Sequence, residues 1–138
     1  MAAVSAALKP LRRPRLWLGL WIAAIVALVV VCLVPLDSLP PLPDNSDKVE
    51  HLLGYFLLAA AAVQLFGSRR ALSLVAMGLI GLGIGIEFAQ GYTAYRSSDP
   101  ADALANTLGV LLGTATVLTP WRDLLLRMEE RLAALLQR

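Results

Sequence analysis

Residues 16–34, LWLGLWIAAIVALVVVCLV, form an apolar run of nineteen residues without a single charge. A helix needs about 20 such residues to cross a ~30 Å hydrocarbon layer, so this run is long enough to span a membrane. Three more apolar blocks follow. Block 49–66 has Glu50 and His51 at its start and Gln64 near its end; block 71–90 is apolar until Glu87; block 101–118 has Asp102 and Asn106 in its first two turns. Pro35, Gly67-Ser68-Arg69-Arg70, Gly91 and Pro120 punctuate them. Inside lipid only helices and closed barrels satisfy the backbone, and these blocks lack a barrel's strict alternation. The expected fold is all-α: an integral membrane four-helix bundle forming one domain over residues 1–138. The tail 121–138 has a different pattern. Trp121, Leu124, Leu125, Met128, Leu132, Leu135 and Leu136 make one apolar stripe, with charged residues mostly opposite. That is an amphipathic helix suited to lying on a membrane surface, or to a short coiled coil.

Composition supports this reading. The chain has 138 residues, 58% of them hydrophobic and only 16% charged, whereas a soluble domain carries about 25% charged residues. A soluble globule and a disordered chain are both excluded. The single cysteine rules out a disulfide framework and a Cys-based zinc site. A net charge of +2, with scattered basic residues, does not suit nucleic-acid binding. Lys9, Arg12, Arg13 and Arg15 look like the start of a signal peptide. The run behind them exceeds the ~7–15 residues of such a core, and no small-x-small cleavage site follows. It reads as an uncleaved span, with Cys32 as an apolar filler.

Basic residues in short loops set orientation. They dominate the N-terminus, the second-to-third loop (Arg69, Arg70) and the tail (Arg122, Arg127, Arg131, Arg138). The first-to-second loop has Asp37, Asp44 and Asp47 against Lys48, and the third-to-fourth has Arg96 against Asp99. Both termini are expected in the cytoplasm. This topology places the start of the second block, the end of the third and the start of the fourth on the extracytoplasmic side.

Those three ends carry the in-membrane polar residues. Lys48, His51 and Tyr55 share one helical face, as do Glu87 and Gln90, and as do Asp99, Asp102, Asn106 and Gly109. An Asp at a helix centre costs roughly 2.5–3.5 kcal/mol on the insertion scale, so polar residues on three helices at one end are expected to face each other or a wet cavity. Local roles are available for several of them. Asp99-Pro100 is a good helix start, Asp102 is favourable in a first turn, and Lys48 can snorkel. Tyr92 and Tyr95 suit the interface, while Gln90 and Asn106 suit interhelical hydrogen bonds. Glu87 and His51 have no such ordinary role and are functional candidates. Gly81 with Gly85, and Gly109 with Gly113, are small-xxx-small pairs expected to bring the third and fourth blocks together.

Together the residues read D-K-x-x-H-x-x-x-Y from Asp47 to Tyr55, E-x-x-Q at Glu87 and Gln90, and R-x-x-D-x-x-D-x-x-x-N-x-x-G from Arg96 to Gly109. In order and register this resembles the VanZ-like family, named for an accessory protein of teicoplanin resistance. Two positions depart from the family pattern: Leu52 stands where an aromatic often follows the histidine, and Ala94-Tyr95 where Pro-Gly often precedes the arginine. The resemblance implies a small multi-pass protein of the bacterial cytoplasmic membrane, linked in some members to the envelope and to antibiotic tolerance. It implies no particular reaction.

The first functional reading is an outward-facing site that binds, and as a further expectation processes, an amphiphilic envelope ligand with a lipid-linked head group. His51, paired with Glu87 or Asp102, would supply acid–base catalysis, the carboxylate fixing the imidazole tautomer. Lys48, Tyr55, Gln90, Arg96, Asp99 and Asn106 would bind the substrate, Arg96 holding a phosphate or carboxylate bidentately. Ser97, Ser98, Tyr55 and water are all open as nucleophile. His51 and the carboxylates could hold a metal, but one histidine and no H-x-x-x-H weigh against it, and neither a metal nor a cofactor is expected. Two alternatives stay open: a non-catalytic scaffold or lipid-binding protein, and a small proton-coupled transporter. Self-association through the glycine-rich helices or the tail is a further expectation.

Overall fold

The structure, a computed structural model, describes residues 7–34, 46–93 and 99–136. It contains α1 (Pro14–Leu33), α2 (Ser46–Leu65), α3 (Arg69–Gln90), α4 (Pro100–Ala115) and α5 (Leu124–Leu136), with 3-10 turns Thr116–Leu118 and Pro120–Asp123 between the last two. Four segments are long and apolar enough to cross a membrane: α1, α2, α3, and α4 with the turn that follows it. The chain is a multi-pass, all-α membrane protein.

The helix starts follow local chemistry. Pro14 opens α1, where a missing backbone N–H costs nothing. Ser68 caps α3 by accepting from the Ala71 amide, and Asp99 caps α4 by accepting from Ala101, with Pro100 next in line. α2 begins at Ser46, three residues ahead of the apolar run, with Asp47 in the first turn, where the helix dipole favours an acid. The tail is not helical from Trp121. Thr119 starts a 3-10 turn by accepting from the Trp121 amide, and the α-helix begins only at Leu124.

The most intimate helix pair is α2 with α4, and two glycines make it possible. A Cβ on Gly109 would strike the Leu52 carbonyl, and one on Gly113 would strike the Phe56 carbonyl and lie 2.8 Å from Ala59 Cβ. The expected role of the glycine pairs is thereby corrected. Gly109 and Gly113 dock α4 on α2, not on α3. Gly81 and Gly85, like Gly78, have open space where a Cβ would stand. The α3 glycine that meets α4 is Gly83, where a Cβ would lie 3.0 Å from Asn106 Cβ.

α1 has no buried residue and leans on the bundle from outside. Trp21 Nε1 donates to the Leu58 carbonyl at 2.9 Å, and the Trp21 ring meets Phe66 edge-on at 5.8 Å. At the other end the Gln90 amide donates to the Cys32 carbonyl at 2.8 Å, satisfying one of the carbonyls that a helix C-terminus leaves open.

A clasp closes the opposite end of the bundle from the three polar helix ends. Leu8 and Phe66 form an isolated antiparallel bridge, with Lys9 N donating to Leu65 O at 2.8 Å and Gly67 N to Ala7 O at 2.9 Å. Lys9 Nζ reaches Asp123 Oδ1 at 2.8 Å and also the Arg122 carbonyl. Glu129 accepts from Trp17 Nε1 at 2.8 Å and from the Arg12 amide at 2.6 Å, and Gln64 bonds Trp121 O and Leu125 N. Glu129 of α5 thus faces the chain, while Met128, Leu132, Leu135 and Leu136 stay exposed. That is the face an interfacial helix gives to lipid.

The clasp is acid-sensitive. The Lys9 ammonium, followed by Arg122, holds the Asp123 carboxyl below the usual carboxylate range. A group whose pKa is depressed in the folded state contributes stability above its unfolded pKa of about 3.9 and loses it as pH falls through the folded value. Between pH 5 and pH 3 the thermal midpoint in detergent is expected to drop less for Asp123→Asn than for the unaltered protein. Equal drops would show that the pair is energetically silent.

Candidate functional site

The N-terminus of α2, the C-terminus of α3 and the N-terminus of α4 meet at one end of the bundle. Each contributes a polar face that the 3–4 residue spacing of a helix defines. From α2 come Lys48, His51 and Tyr55; from α3 Gly83, Glu87 and Gln90; from α4 Asp99, Asp102, Asn106 and Gly109. Tyr55, Gln90 and Asn106 are among the most deeply buried side chains, at 0%, 2% and 1% exposure. His51, Glu87 and Asp102 are buried beside them. The expected convergence of these residues is what the structure contains. Arg96, with Ser97, Ser98 and Tyr95, lies outside the described residues, as does the segment 35–45 with Asp37 and Asp44.

Lys48 is the electrostatic hub of the described part. Its Nζ lies 2.9 Å from Asp99 Oδ2, 3.2 Å from Asp102 Oδ1 and 3.3 Å from Asp47 Oδ2. Hydrogen bonding to Lys48, and then to the Ala101 amide, holds the Asp99 carboxyl below its ordinary value. Asp99 therefore combines two roles, helix cap and ion-pair partner. Its backbone amide also donates to Glu87 Oε2 at 3.3 Å, tying α4 to α3.

His51 has a partner other than the expected carboxylate. Its Nδ1 lies 3.0 Å from Asn106 Oδ1. An amide oxygen can only accept, so Nδ1 carries the proton and Nε2 is left with its lone pair in the neutral ring. Among the described residues no hydrogen bond or ion pair joins the imidazole to Glu87 or Asp102. Asn106, read from sequence as a ligand-binding or helix-joining residue, is the group that fixes the tautomer. Gln90 is likewise spent on the Cys32 carbonyl.

Gly83 is the residue that sequence reasoning missed. A Cβ there would lie 3.2 Å from Asn106 Nδ2 and 3.3 Å from Tyr55 Cζ, so its bare backbone lets both side chains close over α3. The available signal was its position one turn before Glu87, on the face of Glu87 and Gln90, rather than its membership of any G-x-x-x-G pair. Among the described residues, Tyr55 Oη, Glu87 Oε1 and Asn106 Nδ2 are buried polar atoms with no hydrogen-bond partner.

A cavity of about 290 Å³ adjoins the cluster. Ala27, Leu28, Val31 and Cys32 of α1 wall one side; Asp47, Glu50, His51 and Tyr55 of α2 line the other. A larger apolar groove of about 670 Å³ runs between α1, α2 and α5, and Leu28 borders both. Chemically, the site offers a tautomer-locked imidazole, buried carboxylates, a lysine and a half-apolar approach.

Fold and site together define a multi-pass helical membrane protein with a buried cluster of ionisable residues at one end of the bundle. The model of the VanZ/LLP1 family matches residues 33–122, and the chain belongs to that family. It is 37% identical over 92 residues to the uncharacterized protein C11E3.10 of Schizosaccharomyces pombe. That match covers 64% of this chain and 56% of the yeast protein, so the chain spans little more than half the length of this relative. No solved structure matches the chain.

Proposed function

We propose that this protein binds an amphiphilic envelope lipid, its head group at the polar ends of α2, α3 and α4 and an acyl chain in the groove between α1 and α2. One observation carries the reading: a cavity with His51 and Tyr55 in its lining and a long apolar groove share Leu28 as a wall. From Trp17 to Leu28 the groove follows α1 for roughly 16 Å at 1.5 Å per residue. Soluble metabolites do not need such a wall; a lipid does. α1, with no buried residue, is the side from which a lipid enters. A relative in a fungus favours a head group found in membranes generally, such as a glycerophosphate, over a wall-specific precursor. A part in glycopeptide tolerance would follow where such a lipid feeds envelope assembly. His51 Nε2 is the base available for processing the head group, and Lys48 the cation that meets its phosphate.

The test fills the junction. Native mass spectrometry of the purified protein is expected to retain one lipid per chain, and Leu28→Trp to lose it while keeping the thermal midpoint. Retention by a folded Leu28→Trp protein would sink the reading.

The polar end belongs on the extracytoplasmic face of the bacterial cytoplasmic membrane, with both termini inside; the basic residues around Arg69 and Arg70 support this orientation. In a Cys32→Ser background, an impermeant thiol reagent on whole cells should label Tyr92→Cys and spare Ser68→Cys. The opposite pattern inverts the topology.

A scaffold role is the second reading. It is favoured by the Gln90–Cys32 and Lys48 bonds, which hold helices together whatever else they do.

A further inference from the structure

His51, Glu87 and Asp102 come from three different helices and are 36 and 15 residues apart along the chain. Their imidazole and carboxylate donor atoms lie within 4.8 Å of one another, and all three side chains are buried. Exposures are 8%, 4% and 7%. Among the described residues no direct hydrogen bond or ion pair connects the three. That spacing places the three donors around a common point, and bonds of about 2.0–2.2 Å to one ion would bring them to roughly 3–3.5 Å from one another.

Two independent observations point to a ligand at that spot. Glu87 Oε1 is buried with no partner among the described residues, an expensive state for a carboxylate among apolar helices. His51 is oriented the way metal-binding imidazoles are: one ring nitrogen donates to a fixed oxygen, here Asn106 Oδ1 at 3.0 Å, and the other keeps its lone pair. Charge balance agrees. Glu87, Asp99 and Asp102 face Lys48 as the one described cation with a salt bridge at this end. A dication between Glu87 and Asp102 leaves Lys48 to balance Asp99.

We propose that His51, Glu87 and Asp102 form a three-ligand site for a divalent transition-metal ion. One imidazole with two carboxylates is a borderline donor set that suits zinc or manganese better than calcium, which takes oxygen ligands alone. Three protein ligands leave a coordination position open. Tyr55 Oη and Asn106 Nδ2, buried donors without a partner among the described residues, close over Gly83 one turn before Glu87. The site shares residues with the lipid reading but does not depend on it.

The test uses the full chain, purified with a histidine-free tag. Elemental analysis is expected to find about one zinc or manganese per chain. After chelation, Co²⁺ should restore a visible d–d spectrum and raise the thermal midpoint, as a ligand that binds only the folded state does. Glu87→Gln and Asp102→Asn should bind Co²⁺ at least about tenfold more weakly. Glu130→Gln, at an exposed position on α5 at the other end of the bundle, should bind normally. Metal well below one per chain with no Co²⁺ spectrum overturns the proposal, and so do ligand variants that bind as tightly as the parent. If a ligand variant fails to fold, the Co²⁺ spectrum and midpoint of the parent protein decide alone. Lipid retention is read on the same samples, so a metal-free protein that keeps its lipid refutes this inference and leaves the lipid reading standing.

Discussion

Gly113→Leu is expected to abolish the folded bundle, while Gly81→Leu leaves it intact. Both glycines sit in transmembrane helices and both belong to small-xxx-small pairs, so sequence alone ranks them as equals. The structure separates them. A Cβ on Gly113 meets the Phe56 carbonyl and comes within 2.8 Å of Ala59 Cβ, whereas one on Gly81 meets nothing within 4 Å. Backbone cannot swing aside as a side chain does, so α4 must move away from α2. Overpacking by a methylene or two costs about 1–3 kcal/mol, and a leucine against a carbonyl exceeds that range. Loss of α2–α4 contact also separates Asn106 from His51, so the site goes with the fold. Thermal unfolding in detergent is the measurement. Equal midpoints for the two variants would mean that α4 does not pack on α2 through this face.

In the chelated, metal-free protein, Lys48→Met is expected to lower the thermal midpoint by several degrees, and the double variant Lys48→Met/Asp102→Asn to recover most of the loss. Lys48 itself is partly exposed, and its bonds to solvent-facing Asp47 and Asp99 contribute little. Asp102 is different. It is buried, and Lys48 at 3.2 Å is its ion-pair partner. Removing one member of a buried pair leaves the other charge uncompensated, which is more damaging than removing both. The order of midpoints therefore carries the information. A double variant less stable than Lys48→Met would show that Asp102 draws its compensation from elsewhere, and the electrostatic account of this end would fail.

Much of the architecture is legible in the residues because lipid is an unforgiving solvent. Apolar runs of 18 to 20 residues have few uses besides crossing it, and the four blocks became four spanning segments. The polar face of each helix was legible for the same reason: His51, Glu87 and Asp102 are too costly in hydrocarbon to sit on unrelated faces. Pairing within the cluster was not legible. Helical spacing says which side of its own helix Asn106 occupies, but not that His51 would donate to it rather than to a carboxylate. Glycine spacing says where backbones can approach, not which neighbour arrives, so Gly109 and Gly113 were matched to the wrong helix and Gly83 was passed over. Hydropathy alone starts the second span at residue 49, but the 3–4 spacing already put Lys48 on the helix with His51 and Tyr55, and α2 begins at Ser46.

The clasp between residues 9–17 and 122–129 has a consequence for how the protein is made. Spans enter the membrane in order as the chain emerges, each burying its apolar surface in lipid without waiting for the rest. Lys9 and Asp123 are 114 residues apart, and Trp17 and Glu129 are 112. These bonds therefore join a segment that leads into α1 to one that follows α4. Until Asp123 and Glu129 have been synthesised, Lys9 and Trp17 lack these side-chain partners, so the groove between α1, α2 and α5 closes only after all four spanning helices have been made.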